Sequence, residues 1–146
     1  MIRRRKDVDW MGKLRVEDLA LVQQRVDPDA WYPMASFERL GLAILENFDG
    51  AGLDAVRLWG TYSAHQFVRD HAGLVAPQDA VETLMRLKVQ RATLFDFPAF
   101  DIPTLTDGHA VVSMAYGMGQ VAEEAACHKT LGFCEGALAL AGARGI

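Results

Sequence analysis

Cysteine is scarce: two residues in 146 cannot build a disulfide framework, so a hydrophobic core must hold the fold. No uninterrupted apolar run reaches the ~18 residues of a membrane span, so none is expected. Positive charge is not in surplus either. Lys and Arg number 15 against 19 Asp and Glu, a net charge of −4, which argues against non-specific nucleic-acid binding. No strand–glycine loop–helix with Lys followed by Ser or Thr is present, which excludes a phosphate loop. No Ser, Cys or Asp stands at a family-specific distance from a His, so no nucleophile–base arrangement declares itself. The chain is therefore read as non-enzymatic, with no catalytic residue, no metal and no cofactor assigned.

What is present is an ordinary globular balance, 51% hydrophobic and 23% charged. The length fits one domain and is enough to bury a core without staples. Arg3, Arg4, Arg5 and Lys6 resemble the basic start of a signal peptide, but Asp7, Asp9, Lys13, Arg15, Glu17 and Asp18 break the apolar stretch that should follow. A cytoplasmic protein with reduced cysteines is expected. The basic cluster can touch anionic lipid or nucleic acid, although a mobile, solvated terminus is its ordinary reading. Residues 1–15 are read as a basic, flexible arm or short helical entry, and 16–146 as a single α+β domain, mainly α.

Five helices are predicted. The first runs from Val16 to Gln24 and stops at Asp27-Pro28-Asp29. Pro33 suits the first turn of the second, whose inward face reads Phe37, Leu40, Gly41, Ile44, Leu45 and Phe48; Asp49-Gly50-Ala51-Gly52 ends it. A third covers Leu53 to about His71. Its stripe of Val56, Trp59, Gly60, Ser63 and Phe67 neighbours a second stripe of Leu58, Tyr62 and His65, so a central helix is expected. Gly60 should admit a close neighbour, since glycine costs roughly 1 kcal/mol in a helix. The fourth covers Gln78 to Arg91, with Pro77 in its first turn and Ala80, Val81, Leu84, Leu87 and Met85 inward. Residues 92–98 are compatible with a helix end or an extended segment. A β-hairpin over about 99–116 follows, with Thr106-Asp107-Gly108 as its turn and Pro103 marking an edge strand. A long fifth helix, about 120–141, closes the chain, with Gly142 and Gly145 at its end.

The last helix carries most of the information. Gln120, Glu124, Cys127, Leu131, Cys134, Leu138 and Ala141 share one face. Gly132 and Gly136 lie beside it at Gly-x-x-x-Gly spacing. Their backbone entropy cost calls for close packing against another helix, the hairpin or a partner subunit. Glu124 and His128 stand at i, i+4 with Cys127 adjacent, but no further ligand pair completes a zinc site, so an ion pair is the reading. Cys127 and Cys134 are two turns apart, roughly 10 Å, too far to bridge. Trp59, Tyr62, His65, Phe95, Leu131 and Cys134 are the candidate ligand-binding residues, around a pocket among the third, fourth and fifth helices. Trp31 and Tyr32, in a loop, and Gly132 and Gly136 are candidate interaction residues. Tyr116-Gly117-Met118-Gly119 reads as a tight turn into the last helix.

Two stretches carry a family resemblance. One is Asp29-Ala30-Trp31-Tyr32-Pro33 followed by Phe37. The other is Lys129-Thr130-Leu131-Gly132-Phe133-Cys134-Glu135-Gly136-Ala137-Leu138, with Ala141-Gly142-Ala143 behind it. Together they resemble a myxobacterial family of uncharacterised proteins, distantly similar to the heme nitric-oxide-binding and vinyl-reductase-like ligand-binding domains. The latter are related to trafficking adaptors. The order of elements agrees over roughly 16–146; individual residues agree in the two stretches. The resemblance implies N-terminal helices, a hairpin, a long helix and then further strands, which would begin where this chain stops at Ile146. Either the helices cover the hairpin, or a second subunit completes the sheet, or the chain is part of a longer protein. The Tyr-x-Ser-x-Arg motif of the heme relatives is missing, which counts against heme, so a heme sensor with His65 as ligand ranks behind a small-molecule or lipid sensor. In the adaptor relatives a buried cysteine takes an acyl chain, and Cys134 is the analogue by helix context. The expectation is a binding or interaction module, homodimeric and used in signalling or regulation. The alternative is a small-molecule or lipid sensor.

Overall fold

A computed structural model describes residues 2, 5–27, 29–47 and 52–146. The expected helix stop at Pro28, the inward Phe48 and the turn at 49–51 lie outside the described residues, as do Arg3 and Arg4 of the basic cluster. The architecture is α+β and mainly α: α1 Trp10–Lys13, α2 Val16–Gln23, α3 Met34–Glu46, α4 Leu53–Asp70, α5 Ala80–Ala92, β1 Phe100–Thr106, β2 His109–Met114 and α6 Gln120–Leu140. The chain forms two compact units, residues 1–51 with 118–122, and residues 52–117 with 123–146.

In the first unit, Asp9 caps α1 by accepting from Gly12 N–H at 3.2 Å. Pro33 sits one step earlier than expected, as the extended residue ahead of α3. The buried positions of α3 are Ser36 and Ala43, whereas Phe37, expected inward, is 48% exposed. An ion pair explains the difference. Asp18 of α2 is fully buried and accepts from Arg39 Nε at 2.6 Å and Nη2 at 2.7 Å. Arg39 also donates to Ser36 Oγ at 3.2 Å. The face that meets α2 is thus the Ser36–Arg39 face, and Phe37 is turned off it.

The second unit is built on α4 and α6. A side chain on Gly60 would collide with the Lys129 carbonyl oxygen, and one on Gly132 with the Arg57 carbonyl oxygen. On Gly136 it would stand 2.9 Å from Thr61 O and Ala64 Cβ. The two helices therefore touch backbone to backbone. Thr61 Oγ1 donates to Gly132 O at 3.1 Å, and Arg57 makes a two-pronged ion pair with Glu135, its Nε at 2.8 Å from Oε2. The glycine notch is filled within the chain, so Gly132 and Gly136 serve an internal contact and not the partner interface expected of them. The small residues of α6, together with Phe133 and Cys134, mark its buried side; Gln120 and Glu124 of the expected face are exposed. Likewise α4 is covered on one side only. Val56, Gly60 and Ala64 are buried, but Leu58 is 70% and Tyr62 62% exposed, and His65 is exposed with them.

Around this pair the core gathers Leu74, Leu84, Leu87, Phe100, Ile102 and Phe133. Asp79 caps α5 by accepting from Glu82 N–H at 2.8 Å, which leaves Pro77 outside the helix; Met85, expected inward, is exposed. Residues 93–99 form turns, not a strand. The hairpin lies where expected. Phe100 and Ile102 face inward, and Lys88 of α5 pairs with Asp101 at 2.6 Å. Register runs from Phe100↔Met114 to Thr106↔His109, with an irregularity between Asp101 and Thr104 that places Ile102-Pro103 on the bulged strand. After α6, Gly142 is left-handed at φ 89°; Ala143 N–H donates to Leu138 O and Gly142 N–H to Ala139 O, each at 3.0 Å.

Two outcomes follow from these contacts. Gly132→Ala forces backbones apart and should destabilise by about 1–3 kcal/mol, despite a better helix former. Gly41→Ala in α3 meets open space and should stabilise by about 0.5–1 kcal/mol. Urea unfolding reads both, and a stabilised Gly132→Ala would mean that α4 and α6 do not touch there. For Asp18, the Arg39 guanidinium holds the carboxyl below its ordinary 3.8, against the opposing effect of burial. The pair's stability is complete above that pH and fades as pH falls through the lower folded value. Asp18→Asn should therefore lower stability at pH 7 and flatten the acid side of the stability–pH curve. An unchanged curve would contradict this.

Candidate functional site

The expected ligand residues do not meet in one pocket. Trp59, on α4, is half-buried with the Lys129 ammonium 4.8 Å from its ring centroid. Tyr62 and His65 stand on the outward side of the same helix. A heme ligand needs a deep apolar pocket, which exposed His65 does not have. Phe95 lies in the turn after α5. It packs edge-on to Tyr116, centroids 5.4 Å apart, and tilts against Phe97 at 5.4 Å. Leu131 is half-buried on α6. Cys134 is 4% exposed and belongs to the core beside Phe133 and Leu87. Of the interaction candidates, Trp31 is 67% exposed, while Tyr32 folds back so that its hydroxyl accepts from Asp27 N–H at 2.8 Å. In the predicted Glu124–His128 pair, Glu124 is exposed and His128 Nδ1 is buried without a hydrogen-bond partner. The ion pair is not formed. Among the described residues no three His, Cys, Asp or Glu converge on a metal position.

A different group of side chains converges around the middle of α6. Arg91, near the end of α5, places its guanidinium carbon 4.9 Å from the Phe133 centroid. Lys129 is one turn before Phe133 and covers Trp59. The Tyr116 hydroxyl and Thr130 Oγ1 share a buried hydrogen bond of 2.6 Å, and Tyr116 N–H donates to Glu123 Oε1 at 2.6 Å. Burial drives the electrostatics. It pushes the Tyr116 phenol up and, with the Arg91 charge adding to it, pulls the Lys129 ammonium down. Burial also raises the Cys134 thiol to about 11, against a lowering by Arg91. A visible signal for this cluster existed in the sequence. No Asp or Glu lies three or four residues from Arg91 or from Lys129 in either direction, so neither cation can find a carboxylate along its own helix.

No protein-family model, curated protein or solved structure matches this chain. An open cleft of about 580 Å³ lies in the second unit, lined by Phe67, His71, Leu74, Met85, Arg86 and Val89 among others, and none of the expected ligand residues lines it. Its polar groups are already engaged. His71 stacks on Phe67 at 3.9 Å and sets Nδ1 3.1 Å from Phe67 O, while Arg86 donates to Glu82 and to Gly73 O, both at 2.8 Å.

The thiols give a direct check. With its folded value near 11, Cys134 should resist a thiol reagent at pH 8 in the native protein and react on unfolding. The unfolded thiol ionises near its ordinary 9.0, so stability should fall as pH rises from there toward about 11. Comparison of Cys134→Ala with the parent isolates that slope. Rapid labelling of Cys134 in the folded state would contradict its burial.

Proposed function

We propose that the chain is a non-enzymatic interaction module, acting in the cytoplasm as a homodimer in signalling or regulation, with β2 as the joining strand. The observation that carries this reading is the asymmetry of the two sheet edges. A two-stranded sheet has two free edges and is marginal alone. On β1 the outer edge is interrupted by Pro103, which has no N–H to offer, and by the bulge at Ile102-Pro103. β2 has neither device, and among the described residues no second strand pairs with it. Its sequence, His109-Ala110-Val111-Val112-Ser113-Met114, holds no Lys, Arg, Asp or Glu. Two copies running antiparallel about a two-fold axis would set no Lys, Arg or carboxylate charge against its like. Four strands would then stand in place of two. Among the described residues no helix is long and apolar enough to cross a membrane, which fits such a role.

A small-molecule sensor is the second reading, favoured by the cations near Phe133 and Trp59. The two readings use different surfaces and are separable.

Sedimentation equilibrium tests the first. The full chain should have twice the mass of 16.1 kDa, and Val111→Lys, which sets charges near the two-fold axis, should return it to 16.1 kDa with unchanged circular dichroism. Ala110→Lys gives a second, independent break. Thr104→Lys, on the other strand, should leave the dimer intact. A monomeric parent, or a dimer indifferent to both β2 substitutions, would overturn the reading.

A further inference from the structure

The strongest unexplained feature is a pair of cations without anions. Arg39, Arg57 and Arg86 each reach a carboxylate. Arg91 and Lys129 do not: among the described residues neither forms an ion pair, and each lies over an aromatic ring instead. Arg91 Nε is buried with no hydrogen-bond partner. Buried polar atoms in folded proteins nearly always have one, and an exception calls for an explanation. Lys129 and Phe133 are neighbours on one face of α6, so the two cation–ring pairs meet that helix one turn apart. Cations partly stripped of water are costly, and among the described residues an aromatic ring, not a carboxylate, is what each one meets.

We propose that Arg91 and Lys129 form a binding site for a small oxyanion, the phosphate or carboxylate group of a small-molecule ligand. An anion would neutralise both charges and give the buried Arg91 Nε–H the acceptor it lacks. The guanidinium offers a planar fork that suits two oxygens, and the ammonium adds a compact charge. Half-buried Trp59 supplies an apolar wall, so an organic anion with a ring should bind more tightly than the inorganic ion. This site is independent of the β2 edge: a β2 variant that abolishes dimerisation should leave anion binding intact.

Calorimetric titration of the full chain with inorganic phosphate and with phenyl phosphate tests the proposal, with sodium chloride at matched ionic strength as the reference. Saturable binding of either phosphate is expected, and chloride should not reproduce it. Arg91→Gln and Lys129→Gln should each weaken it by roughly tenfold or more, the loss of a charge-assisted contact. Arg86→Gln removes a cation that is already paired and should leave affinity unchanged. Circular dichroism establishes that each variant is folded; if Arg91→Gln is not, Lys129→Gln carries the test alone. Absence of saturable binding of both phosphates, or affinity undiminished in the folded variants, would overturn the assignment.

Discussion

The contact between α4 and α6 at Gly60, Gly132 and Gly136 governs the second unit, because helix backbones this close leave no room for a Cβ from either side. Each glycine costs helix stability, and the compensation is close approach with Thr61 bonded to Gly132 O and Arg57 clasping Glu135. Ala64 and Ala137, both fully buried, continue the small-residue seam. Once α6 is fixed along α4, Phe133 and Cys134 are committed to the core that Leu84, Leu87, Phe100 and Ile102 complete. The hairpin is then anchored through β1, which packs on α5, and β2 is left at the margin.

The same geometry accounts for the uncompensated charge. Lys129 is placed by the seam, since its carbonyl oxygen abuts Gly60 and its side chain runs to Trp59 on the neighbouring residue of α4. Arg91 reaches Phe133 from α5. Arg39 and Arg57 find carboxylates, whereas Arg91 and Lys129 find aromatic rings. The cleft beside Phe67 and His71 differs in that its polar groups find partners within it.

Much of the fold was legible from pattern alone. The hairpin was readable because Asp107-Gly108 sits between two β-rich runs, and α6 because its apolar positions persist over 21 residues. The glycine spacing announced a close contact but could not say with what, and the partner proved to be α4. Periodicity failed where a polar interaction outranked an apolar one. Phe37 fits an inward stripe, yet the buried Asp18–Arg39 pair turned α3 another way. It failed again on α4, where two apolar stripes were readable and only one was covered. Aromatic content misled the site reading. Tyr62 and Phe95 are conspicuous as residue types, whereas Arg91 and Lys129 are conspicuous only for the acids missing around them.

Native-state hydrogen exchange measures the central claim most directly. If α4 and α6 form the rigid seam of the second unit, amides of residues 56–64 and 129–137 should be the slowest to exchange there, and they should open together with one denaturant dependence. The β2 edge should exchange faster. Greater protection in the hairpin than in the helix pair, or α6 opening independently of α4, would contradict the account.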